Sequence, residues 1–413
     1  MSKQVGRRFG VLRERNFRLF FAGYLTSIVG TGMVPVALTF AVLNQGGGAS
    51  DVGYVLAAQT APLVAFLLVG GVIADRVPRR AVMMTADLAR CASEGVLAAL
   101  LVTGHPPLWA FMGLAAVLGA GSAFYNPALT GLIPEISSSA RLQDANALRN
   151  VAVSAGQVVG PVAAGLIVAV AGAGWAIAVD AATYAVSAAC LSRLRVPLLQ
   201  LGPPESFLAQ LASGWREFRS RTWLWVIVTQ FAFFHVIVYA PFIVLGAVTA
   251  KTALGGAAAW GTILAAQGIG SVVGALATLR MRPARPLVVG MMGTCGFAAP
   301  IALLAAKAPT SAIAVAGFVG GFGLAVFTTL WQTTIQREIP APVLSRVSAY
   351  DWFGSVAFFP LGYAVAGPLA ASLGIAPTLW LAAGWLVVSS GCVLAVPSVA
   401  RLRWNAPVVA PGL

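Results

Sequence analysis

Long apolar stretches alternate with short polar gaps along the whole chain. At about 20 residues per bilayer crossing, the pattern predicts transmembrane helices near 17–44, 51–74, 81–103, 108–131, 146–171 and 175–195 in the first half. In the second half it predicts them near 222–249, 257–279, 287–306, 310–335, 347–372 and 376–397. Twelve such stretches in 413 residues make an all-α, multi-pass membrane protein the expected fold class.

The charges orient this string of helices. Of 26 Lys and Arg, 23 fall in or beside alternate gaps, such as Arg76, Arg79 and Arg80 or Arg280, Arg282 and Arg285. The intervening loops hold Lys251 and Lys307, and Arg90 alone lies inside a span. Under the positive-inside rule both termini are expected to be cytoplasmic. Composition agrees with a chain mostly in lipid: 59% hydrophobic residues, 9% charged and a mean hydropathy of +0.87, against about 25% charged in soluble domains. The net charge of +14 is spread over several short segments rather than gathered on one face, which argues for orientation and anionic lipid headgroups as partners, not nucleic acid. The apolar run after the basic N-terminus is too long for a signal-peptide core and is expected to stay as the first span. Cys91, Cys190, Cys295 and Cys392 show no paired spacing, so no metal and no cofactor is expected.

The longest hydrophilic stretch, 196–221, divides the chain into 1–195, a six-helix bundle, and 222–413, a second bundle with a short tail. Its amphipathic run Trp215 to Arg221 reads as a cytoplasmic surface segment. The halves resemble one another at an offset of about 205 residues. The loop 75–80 corresponds to 280–285, and the Gly-Pro step at 160–161 has a counterpart among Pro360, Gly362, Gly367 and Pro368. Two related six-span halves suit a transporter with its substrate site at the midplane. Pro35, Pro62, Pro127, Pro161, Pro241, Pro300 and Pro360 fall within spans, where each removes a backbone donor and tends to kink its helix.

Two motifs carry a resemblance. Gly71-Val72-Ile73-Ala74-Asp75-Arg76-Val77-Pro78-Arg79-Arg80 resembles the signature loop of the major facilitator superfamily, G-x-x-x-D-R-x-G-R-R/K, with Pro78 in place of the usual Gly. The resemblance implies a cytoplasmic gate in which Asp75 caps the N-terminus of helix eleven, while Arg76 and Arg79 pair with Glu135 or Asp351. In span five, Gly156-Gln157-Val158-Val159-Gly160-Pro161-Val162-Ala163-Ala164-Gly165 is similar to the antiporter motif of drug exporters in that superfamily, G-x-x-x-G-P-x-x-G-G. Small residues at this spacing let helices approach closely. Phe17-Arg18-Leu19-Phe20, Phe124-Tyr125-Asn126-Pro127, Ala145-Asn146-Ala147-Leu148 and Phe359-Pro360-Leu361-Gly362 look like the branch holding macrolide-efflux proteins and siderophore exporters. The implied fold is two pseudo-symmetric six-helix bundles, and the family is mostly monomeric.

Within the membrane, Asp87, Arg90 and Glu94 recur at i, i+3 and i+7 on one helical face. A central charge costs about 2.5–3.5 kcal/mol on insertion scales, so three on one face imply pairing or water. Arg90 can neutralise one acid, leaving the other as a candidate proton site. Glu94 lies nearer mid-bilayer and is favoured, with a structural salt bridge as the alternative. Asp180 carries the same ambiguity, and His235 in span seven is either a titrating or a packing histidine. Candidate cavity residues are Tyr125, Asn126, Gln230, Phe234, His235, Phe327, Trp331 and Gln332, an aromatic wall with a few amides suited to an amphiphile. The expected function is secondary active export of a drug, antibiotic or siderophore-like metabolite across a bacterial inner membrane by alternating access, as a proton antiporter. A lipid or lysolipid flippase of the same fold is the alternative. A membrane-embedded enzyme is more remote, since no H-E-x-x-H or aspartate-rich metal motif occurs.

Overall fold

The computed structural model describes residues 10–138, 141–196 and 215–404. Among these no strand forms, and every predicted span falls on a helix. The first half gives α1 (Arg15–Thr31 continued by Val34–Asn44), α2 (Ala49–Arg76), α3 (Arg79–Thr103), α4 (Leu108–Ile136), α5 (Leu142–Ala171) and α6 (Ala173–Ser192). The second gives α7 (Thr222–Leu254), α8 (Ala257–Thr278), α9 (Pro286–Cys295 continued by Ala298–Ala305) and α10 (Thr310–Glu338). It ends with α11 (Ala341–Val356 continued by Phe359–Leu373) and α12 (Ile375–Ala395). Among the described residues eleven of these are long and apolar enough to cross a membrane. The remaining one, α3, has 25 residues, or roughly 37 Å at 1.5 Å each, and is set apart by the charges at 87, 90 and 94.

The proline positions explain where helices break. Pro35 opens the second segment of α1, Pro300 follows the break in α9, and Pro360 follows the break in α11. Pro241 lies just beyond a π-turn at His235–Tyr239, whose wider ring relieves the clash a proline makes with the carbonyl four residues back. Pro62, Pro127 and Pro161 sit inside unbroken helices. The repeat is also visible locally. Gly172 at φ 93° joins α5 to α6 and Gly374 at φ 94° joins α11 to α12, a left-handed backbone that only glycine adopts without strain.

By packing, the chain divides into two units. One comprises Met1–Pro203 with Ile243–Ala265 and Phe359–Leu373, the other Pro204–Phe242, Ala266–Phe358 and Gly374–Leu413. The second half of α7, the start of α8 and the second segment of α11 therefore pack with the first-half helices. Each unit has its own apolar core, one around Phe17, Phe20, Met83, Leu129 and Leu132, the other around Leu224, Ile227, Met291, Phe327 and Trp331. The segment at 215–220 is anchored in the second unit by Trp215 and Phe218, which stack together and meet the Tyr350 ring at a tilt.

Candidate functional site

The three charges of α3 point inward. Asp87, Arg90 and Glu94 are 0%, 4% and 5% exposed, so the bundle rather than lipid surrounds them. Arg90 forms an ion pair with Asp87. Its guanidinium carbon lies 4.4 Å from the ring centres of both Tyr125 on α4 and Tyr184 on α6. A planar cation between two aromatic faces gains from both quadrupoles, and Tyr184 is fixed by Thr31 of α1, whose hydroxyl lies 3.0 Å away. Glu94 sits about a turn further along α3 and meets Asp180 of α6 as a side-chain neighbour. Asp180, 1% exposed, accepts a hydrogen bond from Thr183 at 3.1 Å. Glu94 Oε2 and Asp180 Oδ2 are buried without a hydrogen-bond partner among the described residues. Both carboxyls and Ser93 line a small cavity of about 10 Å³, at the lower bound for one water.

At the α2–α3 loop, Arg79 pairs with Glu135 at 2.5 Å and donates to the Gly131 carbonyl at 3.0 Å, both on α4. Arg80 donates to the carbonyls of Leu191 and Ser192 at 2.9 and 2.5 Å, so it caps the C-terminal end of α6, where a cation is favoured. Arg76 is exposed. The side chains of Gly71 and Asp75 lie outside the described residues. Asp351 belongs to the second unit and accepts the Trp331 indole N–H at 3.0 Å. Tyr125 and Trp331 are 206 residues apart, and each lies against a charged group in the core of its own half, Arg90 and Asp351.

The glycines of α5 bring backbones together. A Cβ on Gly156 would lie 2.5 Å from Ile28 O, and one on Gly160 would lie 2.5 Å from the Gly32 carbonyl carbon. This face of α5 is therefore seated on the break in α1. Further along, Gly165 would meet Ala257 O at 2.8 Å, and Pro161 O crowds Gly261 of α8. From the other side of α1, the Asp180 carboxyl and Thr183 hydroxyl occupy the space a Cβ on Gly30 would need.

In the second unit His235 opens the π-turn of α7. Its Nδ1 lies 2.7 Å from Ser355 O, and since a carbonyl only accepts, this nitrogen carries the proton. The ring meets Phe231, Phe234 and Tyr239 edge-on. Phe231 stacks on Phe327 at 4.4 Å and Phe327 on Trp331 at 5.9 Å, giving a continuous aromatic ladder between α7 and α10. Of the cavity candidates, Tyr125, Gln230, Phe234, Phe327 and Trp331 are buried and His235 is partly so, while Asn126 and Gln332 are exposed. Gln230 reaches Ser389 of α12 at 3.5 Å. Sequence reasoning missed Gly30, Gly32, Thr183 and Tyr184. The pair Gly30 and Gly32 shortly before Pro35 was a readable sign of a break, and Tyr184 lies one turn from Asp180 on the same face.

Comparison with known proteins agrees with this architecture. The family model described as Major Facilitator Superfamily matches residues 20–355. The multidrug efflux pump Tap of Mycolicibacterium fortuitum is 28% identical over 386 residues, covering 86% of this chain and 89% of that protein. The enterobactin exporter EntS of Shigella flexneri is 26% identical, covering 95% and 94%. Macrolide efflux protein A of Streptococcus pyogenes is 22% identical over about half of each chain, 54% and 56%. Among solved structures, a bacterial homologue of the iron transporter ferroportin in an inward-facing state superposes with a TM-score of 0.74 at 14% identity, covering 92% of this chain and 98% of that one. At that identity the likeness speaks for the fold alone.

Proposed function

The chain belongs to the major facilitator superfamily, and we propose that it is a bacterial inner-membrane exporter of amphiphilic small molecules that works by alternating access in exchange for protons. The observation that carries this reading is similarity along nearly the whole chain to two exporters, the multidrug efflux pump Tap and the enterobactin exporter EntS. The α5 glycine face supports it: an interface of bare backbone against the break in α1 and against α8 is one that slides without side-chain repacking. Protons and cargo drive the cycle in opposite senses, because each ligand shifts the equilibrium only by its differential affinity for the two states.

The test is efflux of ethidium from energised vesicles carrying the protein. Collapse of the proton gradient by an ionophore is expected to abolish efflux, and efflux that persists at the same rate without a gradient would refute antiport.

A second expectation concerns the side opposite the basic loops. Lys251, in a π-turn at the end of α7, donates to the Leu43 carbonyl in the last turn of α1. A cation at a helix C-terminus gains about 0.3–1 kcal/mol. In this arrangement the outer ends of α1 and α7 are held together, so Lys251→Met is expected to favour the outward-open state about two- to five-fold. The readout is the labelling rate of Ser50→Cys by an impermeant thiol reagent, Ser50 being packed against Gly367 of α11. An unchanged rate would show that Lys251 holds nothing closed.

A further inference from the structure

Among the described residues of the first unit, the fully buried charged side chains are Asp87, Arg90, Glu94 and Asp180. Arg90 is ion-paired with Asp87 and stacked on two tyrosines, so a single guanidinium stands against all three carboxyls. Glu94 and Asp180 are then two carboxyl groups side by side, 5% and 1% exposed, whose nearest cation, Arg90, is already paired with Asp87. Two ionised carboxylates in such a place repel each other and forfeit hydration worth several kcal/mol each. Their hydrogen bonding shows the same deficit. Thr183 donates to Asp180 Oδ1, but Glu94 Oε2 and Asp180 Oδ2 find no donor among the described residues. One added proton cures both faults: it halves the charge of the pair and turns two orphaned acceptors into a donor and an acceptor. A metal ion does not fit, since no group of three or more acid, His or Cys ligands converges among the described residues.

We propose that Glu94 and Asp180 bind one proton between them, as a shared-proton pair behind the break in α1, and that this is the proton exchanged in transport. The second clause rests on the antiport reading above; the site itself does not. The groups facing the pair are Arg90 and the Cys91 thiol from α3 and Thr183 and Tyr184 from α6, while Asp87 and Tyr125 of α4 lie against Arg90. From α1 come only apolar side chains such as Val34 and Leu38, with the bare backbone of Gly30. Protonation is the association of H⁺ from hydronium with one carboxylate oxygen, releasing water, and the small cavity beside Ser93 holds at most that water. Its conformational reach comes from position. The Asp180 carboxyl fills the space beside Gly30, while Gly32, two residues on, carries the α5 contact. A change in charge or rotamer at Asp180 therefore acts on the segment where α1 changes direction. Along α6, eleven and twelve residues further, Leu191 and Ser192 receive Arg80 from the start of α3, so the same helix also ends on the loop side of the bundle.

The proposal is read directly by infrared spectroscopy of the purified protein in detergent, titrated from alkaline to mildly acidic pH. The wild-type protein is expected to gain one protonated-carboxyl C=O band, shifted in D₂O. That band is expected to be lost in both Glu94→Gln and Asp180→Asn, because either change removes the partner that shares the proton. In wild-type protein labelled with ¹³C only in Glu carboxyls, or only in Asp carboxyls, a proton shared between a Glu and an Asp must shift the band with both labels, and a band that moves with one label alone overturns the sharing, an arm that holds even if a variant fails to fold. Absence of the band, or its survival in both folded variants, overturns the site. Failure of the antiport reading looks different: ethidium efflux would then ignore the ionophore while the band remained.

Discussion

Arg90→Ala is expected to remove most of the folded protein from the membrane, an effect larger than that of any single gate or cavity substitution. The guanidinium is 4% exposed, ion-paired to Asp87 and sandwiched between Tyr125 and Tyr184 at 4.4 Å. Truncation leaves Asp87 buried and unpaired, a loss of about 3–5 kcal/mol, and opens a gap between two tyrosine rings. Arg90→Lys keeps the charge but offers a compact ammonium in place of a planar fork, so an intermediate loss is expected. The double variant Asp87→Leu with Arg90→Leu tests the cause. It removes both charges at once and is expected to accumulate better than Arg90→Ala, since replacing a buried pair with apolar residues is often neutral while breaking one is not. Membrane-extracted, fluorescence-detected size exclusion gives the yield and apparent melting temperature of each. An Arg90→Ala protein that accumulates and melts like wild type would show that the pair is solvated in the folded state.

Much of this architecture was legible because its cause is local. Apolar length and alternate basic gaps located the helices without reference to their neighbours, and even α3 was readable despite the charges that keep it from meeting an apolar criterion. The face shared by Asp87, Arg90 and Glu94 followed from helical geometry alone. What lay across the bundle was not legible. Glu94 and Asp180 are 86 residues apart in sequence, and nothing in either helix announces the other. Arg79 was expected to choose between Glu135 and Asp351; the structure gives it Glu135, one loop away, and gives Asp351 to Trp331. Phe327 and Trp331, read from sequence as a cavity wall, stack on one another in the apolar core of the second unit, and aromatic area has the same sequence pattern in either role. The break in α1 and the π-turn before Pro241 are the cases where a proline was noticed but the form of the distortion was not. Pro35 and Pro241 are 206 residues apart, so the distorted places of α1 and α7 correspond between the halves even though the backbone solution differs.

Gly160→Ala isolates the part of the mechanism that depends on bare backbone. Its Cβ would lie 2.5 Å from the Gly32 carbonyl carbon, 2.6 Å from Gly32 Cα and 2.8 Å from Val29 O. All three are main-chain atoms, so no rotamer change can make room and α5 must move away from α1. Overpacking of this kind costs about 1–3 kcal/mol. The contact sits at the break in α1, so a shift there also displaces Gly30 from Asp180. Ethidium efflux is therefore expected to fall by about ten-fold, the factor that 1.4 kcal/mol represents at the transition state, while the protein still folds. Gly113→Ala and Gly384→Ala supply the contrast. Both lie in helix interiors with nothing within 4 Å of the added carbon, and alanine there is expected to stabilise by about 0.5–1 kcal/mol. One methyl group should thus lower stability and efflux on α5 and raise stability on α4 or α12. If Gly160→Ala matches those two in melting temperature and efflux, then α5 and α1 are not in backbone contact during the cycle, and the role assigned to the antiporter motif falls with that result.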